Sequence, residues 1–338
     1  MKIFLIGGTG LLGSEIARQL IEKGHSVSSI SLPPLLEDGN IPKEMELKLG
    51  NYIDMSDDEI KECFKDCEAF IFAAGIDERV EGAPPIYDLY KKYNIDALER
   101  LMRIAKEMGV KHTVILGSYF SHFVKEWKHL ELTKHHPYIR SRIDQEKLAL
   151  SFAEDGKMDV AILELPYIFG AQKGRKPVWQ FIAEMIRNAK GDKLMYPKGG
   201  TTMVTVKQVG QATLGALEKT KGGKCYPVGW FNMTWEEWLE KFSMYMGEPK
   251  KVKTIPTFLY KLGAKKMAKD IIASGKESGL EMNEYVKVMT SNAFIDKDII
   301  KNELNVQDDD IDAAIKESAE LCLDILDKKE EVVDMKAE

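Results

Sequence analysis

The sequence predicts an α/β fold built on a doubly wound parallel sheet, and three observations carry that prediction. Short apolar runs without polar alternation recur along the first half of the chain, as strands covered on both faces require. Segments with apolar residues at helical spacing separate these runs, the order that builds parallel sheets. Between the first run and the first helical segment stands a glycine turn, Gly7-Gly8-Thr9-Gly10-Leu11-Leu12-Gly13.

The elements follow in order. Ile3 to Ile6 is the first strand; Leu11, Leu12, Ile16, Ala17, Leu20 and Ile21 mark a helix that Gly24 stops. A short run over Val27 to Ile30 and a loop with Pro33 and Pro34 lead to a third strand, Met45 to Leu49. Ser56 with Glu59 predicts a capping box opening a helix through Phe64. Ala69 to Ala74 reads as a buried strand, followed by a long helix from about Tyr87 to Gly109 and a strand over Thr113 to Leu116. A helix from Tyr138 and a strand from Val160 to Leu165 complete the series. Beyond Pro166 come a helix near 178–188, the pair Gly199-Gly200, a helix at about 208–219 and a strand at Cys225 to Val228. Thr234 and Glu237 predict a second capping box on a helix ending at Gly247, and a last helix covers about 309–327.

This order divides the chain into a dinucleotide-binding domain at 1–169, to which 206–229 returns. A smaller, interleaved C-terminal substrate lobe takes 170–205 and 230–327, and a charged tail, 328–338, is expected to fray. The 338 residues suit such a division.

Composition narrows the function classes. With 48 Lys and Arg against 54 Asp and Glu, the net charge is −6, and no basic footprint for nucleic acid or stripe for a membrane surface is expected. No apolar run reaches the length of a membrane-spanning helix. Met1 and Lys2 run straight into the first strand and then glycine, unlike a signal peptide, so the expected compartment is the cytoplasm. Four cysteines are too few for a disulfide scaffold; Cys63 and Cys67 lack further ligands at metal spacing and read as buried thiols, so no metal is expected.

The glycine turn carries the strongest chemistry. Glycines let the backbone approach a pyrophosphate, whose charge is favoured by the free N–H groups and dipole of the helix N-terminus. The spacing Gly7, Gly10, Gly13 suits a Rossmann-like dinucleotide site, and the missing Gly-Lys-Ser/Thr ending disfavours an NTP loop.

Around that turn an ordered set of features resembles the extended short-chain dehydrogenase/reductase family, also called the NAD-dependent epimerase/dehydratase family. These are the glycine turn, Gly50-Asn51 with Asp54, Ala73-Ala74-Gly75, Asn94, Leu116-Gly117-Ser118, Tyr138 with a basic residue four later, Glu146, and Leu165 to Gly170. The resemblance covers about 1–250. It implies a cofactor, NADP or NAD, held by Gly7, Thr9, Gly10, Leu11, Leu12, Gly13 and Ser31. Asn51 would lie by the adenine, Ala74 and Gly75 along the phosphate and ribose, and Pro166, Tyr167 and Ile168 by the nicotinamide, with Tyr52, Ala73 and Asn94 as further cofactor contacts. It further implies Tyr138 as acid or base, Ser118 as its helper and a homodimer through the helices flanking Tyr138.

Three departures qualify the resemblance. Arg142 stands where the family has Lys; its charge can still stabilise a phenolate, but a planar guanidinium bonds differently from an ammonium. The second strand ends Ser29-Ile30-Ser31-Leu32 without the carboxylate that receives the 2′-hydroxyl of NAD, and NADP is favoured over NAD. No arginine precedes the 208–219 helix in Gly200 to Thr205, which weakens a nucleotide-diphosphate sugar as substrate, although Lys173, Arg175 and Lys176 could compensate. Trp230, Phe231, Trp235 and Trp238 could face a pocket, but Trp235, Trp238 and Phe242 stand at the spacing of a helix core.

The function expected is an NAD(P)-dependent oxidoreductase moving hydride to or from a carbonyl or secondary alcohol of a small organic substrate. Its alternatives are a nucleotide-sugar epimerase or dehydratase, and a non-catalytic NAD(P)-binding regulatory protein.

Overall fold

A computed structural model describes residues 1–33, 35, 41–330 and 332. Pro34 of the expected loop, and most of the expected charged tail, lie outside these residues.

Seven parallel strands form the central sheet: β1 Lys2–Ile6, β2 Ser26–Ser31, β3 Glu46–Leu49, β4 Ala69–Phe72, β5 His112–Leu116, β6 Asp159–Glu164 and β7 Gly223–Pro227. Their spatial order is β7-β6-β5-β4-β1-β2-β3, so the chain winds outward from β1 to one side and then from β4 to the other. That reversal between β1 and β4 opens a crevice at the strands' carboxyl ends, where ligands of such sheets bind. The pleat explains the apolar runs. Ile3 and Leu5 pack with Ile16, Ala17 and Leu20 of helix α1 (Leu11–Glu22), whereas Phe4 and Ile6 join Ile60, Phe64 and Leu98 on the opposite face.

Both expected capping boxes form. Ser56 and Glu59 open helix α2 (Asp57–Cys63), and Thr234 with Glu237 opens Trp235–Tyr245. The strand expected to reach Ala74 stops at Phe72, and Ala73 and Ala74 follow it as half-buried residues outside the ladder. The long helix after it is not uniform: Ile86–Tyr90 passes through a π-helical turn, Lys91–Asp96, into helix α3 (Ala97–Glu107). Helix α4 (Pro137–Ser151) follows, with Pro137 at its first position where its missing N–H is harmless. Helix α5 (Val206–Lys219) packs on α1.

A second sheet stands over the crevice. Gly200–Thr205 lies at its centre, paired with Tyr167–Phe169, Phe231–Thr234 and Asn292–Ala293. Trp235, Trp238 and Phe242 belong to its core, with Trp179 stacked on Phe169 at 4.6 Å. Two further helices, α6 (Thr257–Ala273) and α7 (Met282–Met289), pack on each other at its edge.

Candidate active site

The glycine turn joins β1 to α1 at the strand-order reversal, and its geometry admits only glycine at two points. A Cβ on Gly7, whose φ is +92°, would stand 2.5 Å from the Ala73 carbonyl oxygen, and one on Gly13 2.0 Å from the Gly7 oxygen. Gly10 caps α1 with no side-chain hydrogen bond, and the first turn holds no acidic residue. The helix therefore offers unpaired N–H groups and positive dipole to the crevice, a cradle that fits a pyrophosphate. At the end of β2 the Ser31 hydroxyl is buried without a partner, and no carboxylate accompanies it on that strand. Tyr52 meets Phe72 edge-on and lines a hollow of about 180 Å³ with Lys92, Asp96 and Arg100. Asn51 beside it turns inward on its own loop, accepting from the Ile53 N–H at 3.1 Å and donating to Asp54 at 2.7 Å.

Above the turn lies a cation. Arg175 donates from Nε to the Thr9 carbonyl at 3.3 Å and from Nη2 to the Thr9 hydroxyl at 3.4 Å, and Gln172 donates to the same carbonyl at 3.1 Å. Among the described residues Arg175 has no carboxylate partner, and burial alone lowers its affinity for a proton. A half-buried guanidinium with no carboxylate partner among the described residues, beside a phosphate cradle, is matched to an anion.

Further along the crevice Ser118, Tyr138 and Arg142 converge, each more than nine-tenths buried. Ser118 follows the end of β5, and the other two share one face of α4 at a four-residue spacing. Arg142 Nε donates to the Tyr138 hydroxyl at 3.1 Å, its Nη1 donates to Gln145 at 2.9 Å, and Nη2 points to the Ile76 carbonyl at 3.5 Å. Gln145 in turn donates to the Asn94 carbonyl at 2.6 Å. Burial raises the Tyr138 phenol above its usual range, while Arg142 and Ser118 pull it down. The phenol is thus a held proton donor with a cation on its oxygen.

Asn94, expected along the cofactor path, is engaged by the loop after β4. Its side chain is fully buried, accepting from the Ile76 N–H at 2.8 Å and donating to the Ile76 carbonyl at 3.0 Å. Gly75, at φ +121°, permits this approach, since a Cβ there would lie 2.5 Å from Asn94 Oδ1. Asn94 is a positioning residue for the loop after β4. Pro166 is buried, and Tyr167 stands 6.2 Å from Tyr119 and 5.7 Å from Trp235, forming an aromatic wall next to Ile168.

That loop brings in a residue the sequence did not single out. Glu78 keeps part of its surface open, but its carboxyl is enclosed within electrostatic reach of Tyr119, Tyr138, Tyr167 and Tyr285. Burial, then neighbouring Asp77, push it up to about 7, with Arg142 opposing. Glu146, expected from the resemblance, lies elsewhere: with Glu164 it is buried around Lys125, whose ammonium is 2.6 Å from Glu164 and 3.5 Å from Glu146. Cys225 completes that cluster at 3.8 Å, and Lys125 is its cation. Cys63 and Cys67 are free thiols directed at helix carbonyls.

Comparison with known proteins decides the family. The model of the NAD dependent epimerase/dehydratase family matches residues 3–229, from β1 through the return of β7 to the sheet. This chain belongs to that family. A Synechocystis sp. protein named "Putative dihydroflavonol 4-reductase" is 22% identical, the match spanning 93% of this chain and 92% of that one. Among solved structures the fold is similar to that of gox2253, with a TM-score of 0.74, 21% identity and coverage of 98% and 99% of the two chains. It is also similar to a UDP-glucuronic acid 4-epimerase from Bacillus cereus in complex with NAD, with a TM-score of 0.67, 13% identity and coverage of 95% and 98%. Within this family of NAD-dependent enzymes the chain combines the glycine cradle with an arginine, not a lysine, on its tyrosine. Asn94, Gln145 and the π-helical turn hold that arginine in place. The turn is the sort of local widening that lets a mid-helix carbonyl bond elsewhere.

Proposed function

We propose that this protein is an NAD(P)-dependent reductase or dehydrogenase acting on a carbonyl or secondary alcohol of a small organic substrate that is not a nucleotide-diphosphate sugar. The observation that carries the reading is the 3.1 Å bond from Arg142 Nε to the Tyr138 hydroxyl, with Ser118 at the same oxygen. When bound, a nicotinamide dinucleotide supplies or accepts the hydride. The chain's own residues supply the rest: Gly7 to Gly13 hold the pyrophosphate, Tyr52 and its hollow take the adenine, and Arg175 closes on the phosphates. Ser118 orients the substrate oxygen, and Tyr138 gives its proton to it in the reducing direction. Arg142 stabilises the phenolate left behind, since a charge-assisted bond to that oxygen strengthens as negative charge develops. A raised phenol favours the protonated form from which reduction starts.

The substrate reading follows from the chamber walls. Glu78 and the rings of Tyr119, Tyr167 and Tyr285 suit an aromatic or hydroxylated compound. Strand Gly200–Thr205 is buried throughout and brings no cation. The absence of a carboxylate at Ser31 favours NADP over NAD.

Turnover of NADPH with a carbonyl panel tests the assignment. Tyr138→Phe should lower kcat by about 10²- to 10⁴-fold while dinucleotide affinity stays within about twofold. Unchanged turnover in that variant would remove Tyr138 from the mechanism. Dinucleotide binding without turnover across the panel would favour a regulatory role.

A further inference from the structure

One helix of this molecule is nearly unsupported. Helix α6 runs for 17 residues and buries only Ala264. Phe258, Leu259, Leu262, Met267 and Ile272 are exposed by 64%, 45%, 62%, 57% and 72%. Its inward side, Tyr260, Ala264, Ala268 and Ile271, rests on the lobe, so the exposed apolar residues are not a misplaced core. The strand that precedes it, Lys251–Ile255, pairs with Lys193–Pro197, which holds the exposed Met195 opposite Lys253.

Charge is concentrated there as well. Residues 250–270 hold seven lysines against Asp270, a local balance of +6 in a chain whose total is −6. Lys251 pairs with Glu240, but among the described residues Lys253, Lys265, Lys266 and Lys269 form no ion pair. Phe258, Leu259 and Leu262 cluster on the first two turns, and the unpaired lysines follow on the next two.

We propose that α6 docks this protein on an anionic bilayer surface, with Phe258, Leu259 and Leu262 entering the acyl boundary and the lysines meeting lipid phosphates. No helix of the described chain is long and apolar enough to cross a membrane, so the helix lies on the surface and does not span it. Apolar side chains combined with lysine are what such a surface binds, each lysine being drawn by the anionic headgroups and able to extend its charge toward them. The other occupant to weigh is a second copy of this chain. Protein interfaces exclude lysine from their centres, whereas here lysines are interleaved with the apolar residues. The inference is independent of the reductase reading. Docking would bring α7 and its Tyr285, 6.1 Å from Phe120 at the substrate chamber, close to the membrane face.

The test is co-sedimentation of the full chain with vesicles of phosphatidylcholine alone and of phosphatidylcholine with about 30% phosphatidylglycerol. Binding is expected to the anionic vesicles, weakening as salt rises. The variant Phe258→Ser/Leu262→Ser should lower partitioning by about tenfold or more, and Lys265→Gln/Lys266→Gln/Lys269→Gln by about tenfold with a shallower salt dependence. Both sets of side chains are exposed, so thermal midpoints should match the parent. No sedimentation with anionic vesicles, or sedimentation indifferent to both variants, would overturn the proposal. So would a dimer in light scattering that Phe258→Ser/Leu262→Ser converts to monomer, because it would assign the helix to self-association.

Discussion

Strand β4 and helix α6 treat the same kinds of side chain in opposite ways. In β4, Ala69, Phe70, Ile71 and Phe72 are all fully buried, whereas in α6 Phe258, Leu262 and Ile272 are mostly in solvent. Hydrophobicity of a residue therefore says little until its element has a place: β4 lies between β1 and β5 at the sheet's centre, and α6 lies at the edge of the second lobe. The contrast separates residues that hold the fold from residues that are free to meet something else.

The largest effect should come from the centre. Phe70→Ala removes a ring packed 5.2 Å from Phe64 and should cost about 3–5 kcal/mol of unfolding free energy, read by chemical denaturation. At the crevice, Arg175→Gln should raise the dinucleotide Kd by about tenfold, with a smaller rise for adenosine alone, read by calorimetry. Equal loss for adenosine would mean that Arg175 only shapes the loop over Thr9. Glu78→Gln should change pH behaviour more than affinity. Folded Glu78 holds its proton up to about 7, against an ordinary value of 4.5, so the stability it contributes is complete below pH 4.5 and is lost as pH rises through 7. The Gln variant should therefore be as stable as the parent at pH 4 and more stable at pH 8, with a flatter thermal midpoint between. The smallest effect belongs to the helix: Phe258→Ala should move stability by less than about 0.5 kcal/mol. A large loss there would contradict its exposure and erase the contrast with β4.

Much of the molecule was legible in sequence because its signals are local. Gly7, Gly10 and Gly13 stand at fixed offsets between a strand and a helix, Ser56 and Thr234 each have an acid three residues later, and Tyr138 precedes a cation by one helical turn. Such patterns survive without knowledge of neighbours. What stayed hidden depends on distant partners. Asn94 is 18 residues from Ile76, and only the folded chain shows that it clamps that loop. Glu78 is one acid in a run of three charged residues, and its raised proton affinity comes from burial no spacing could announce. Arg175 stood in sequence only as one of three cations that could bind a substrate diphosphate, and the fold lays it on Thr9 of the glycine turn. The net charge that gave no expectation of a basic stripe conceals the seven lysines of 250–270, four of them on helix α6. The acidic remainder cancels the sum.

The central claim is that the crevice at the glycine turn binds a nicotinamide dinucleotide for hydride chemistry. Calorimetric titration of the cofactor-stripped protein with NADP and NAD in parallel, alongside Gly10→Asp, tests it most directly. Saturable one-site binding, tighter for NADP and abolished by the added carboxylate, is the result the account predicts. No binding of either nucleotide, or binding that Gly10→Asp leaves intact, would contradict it.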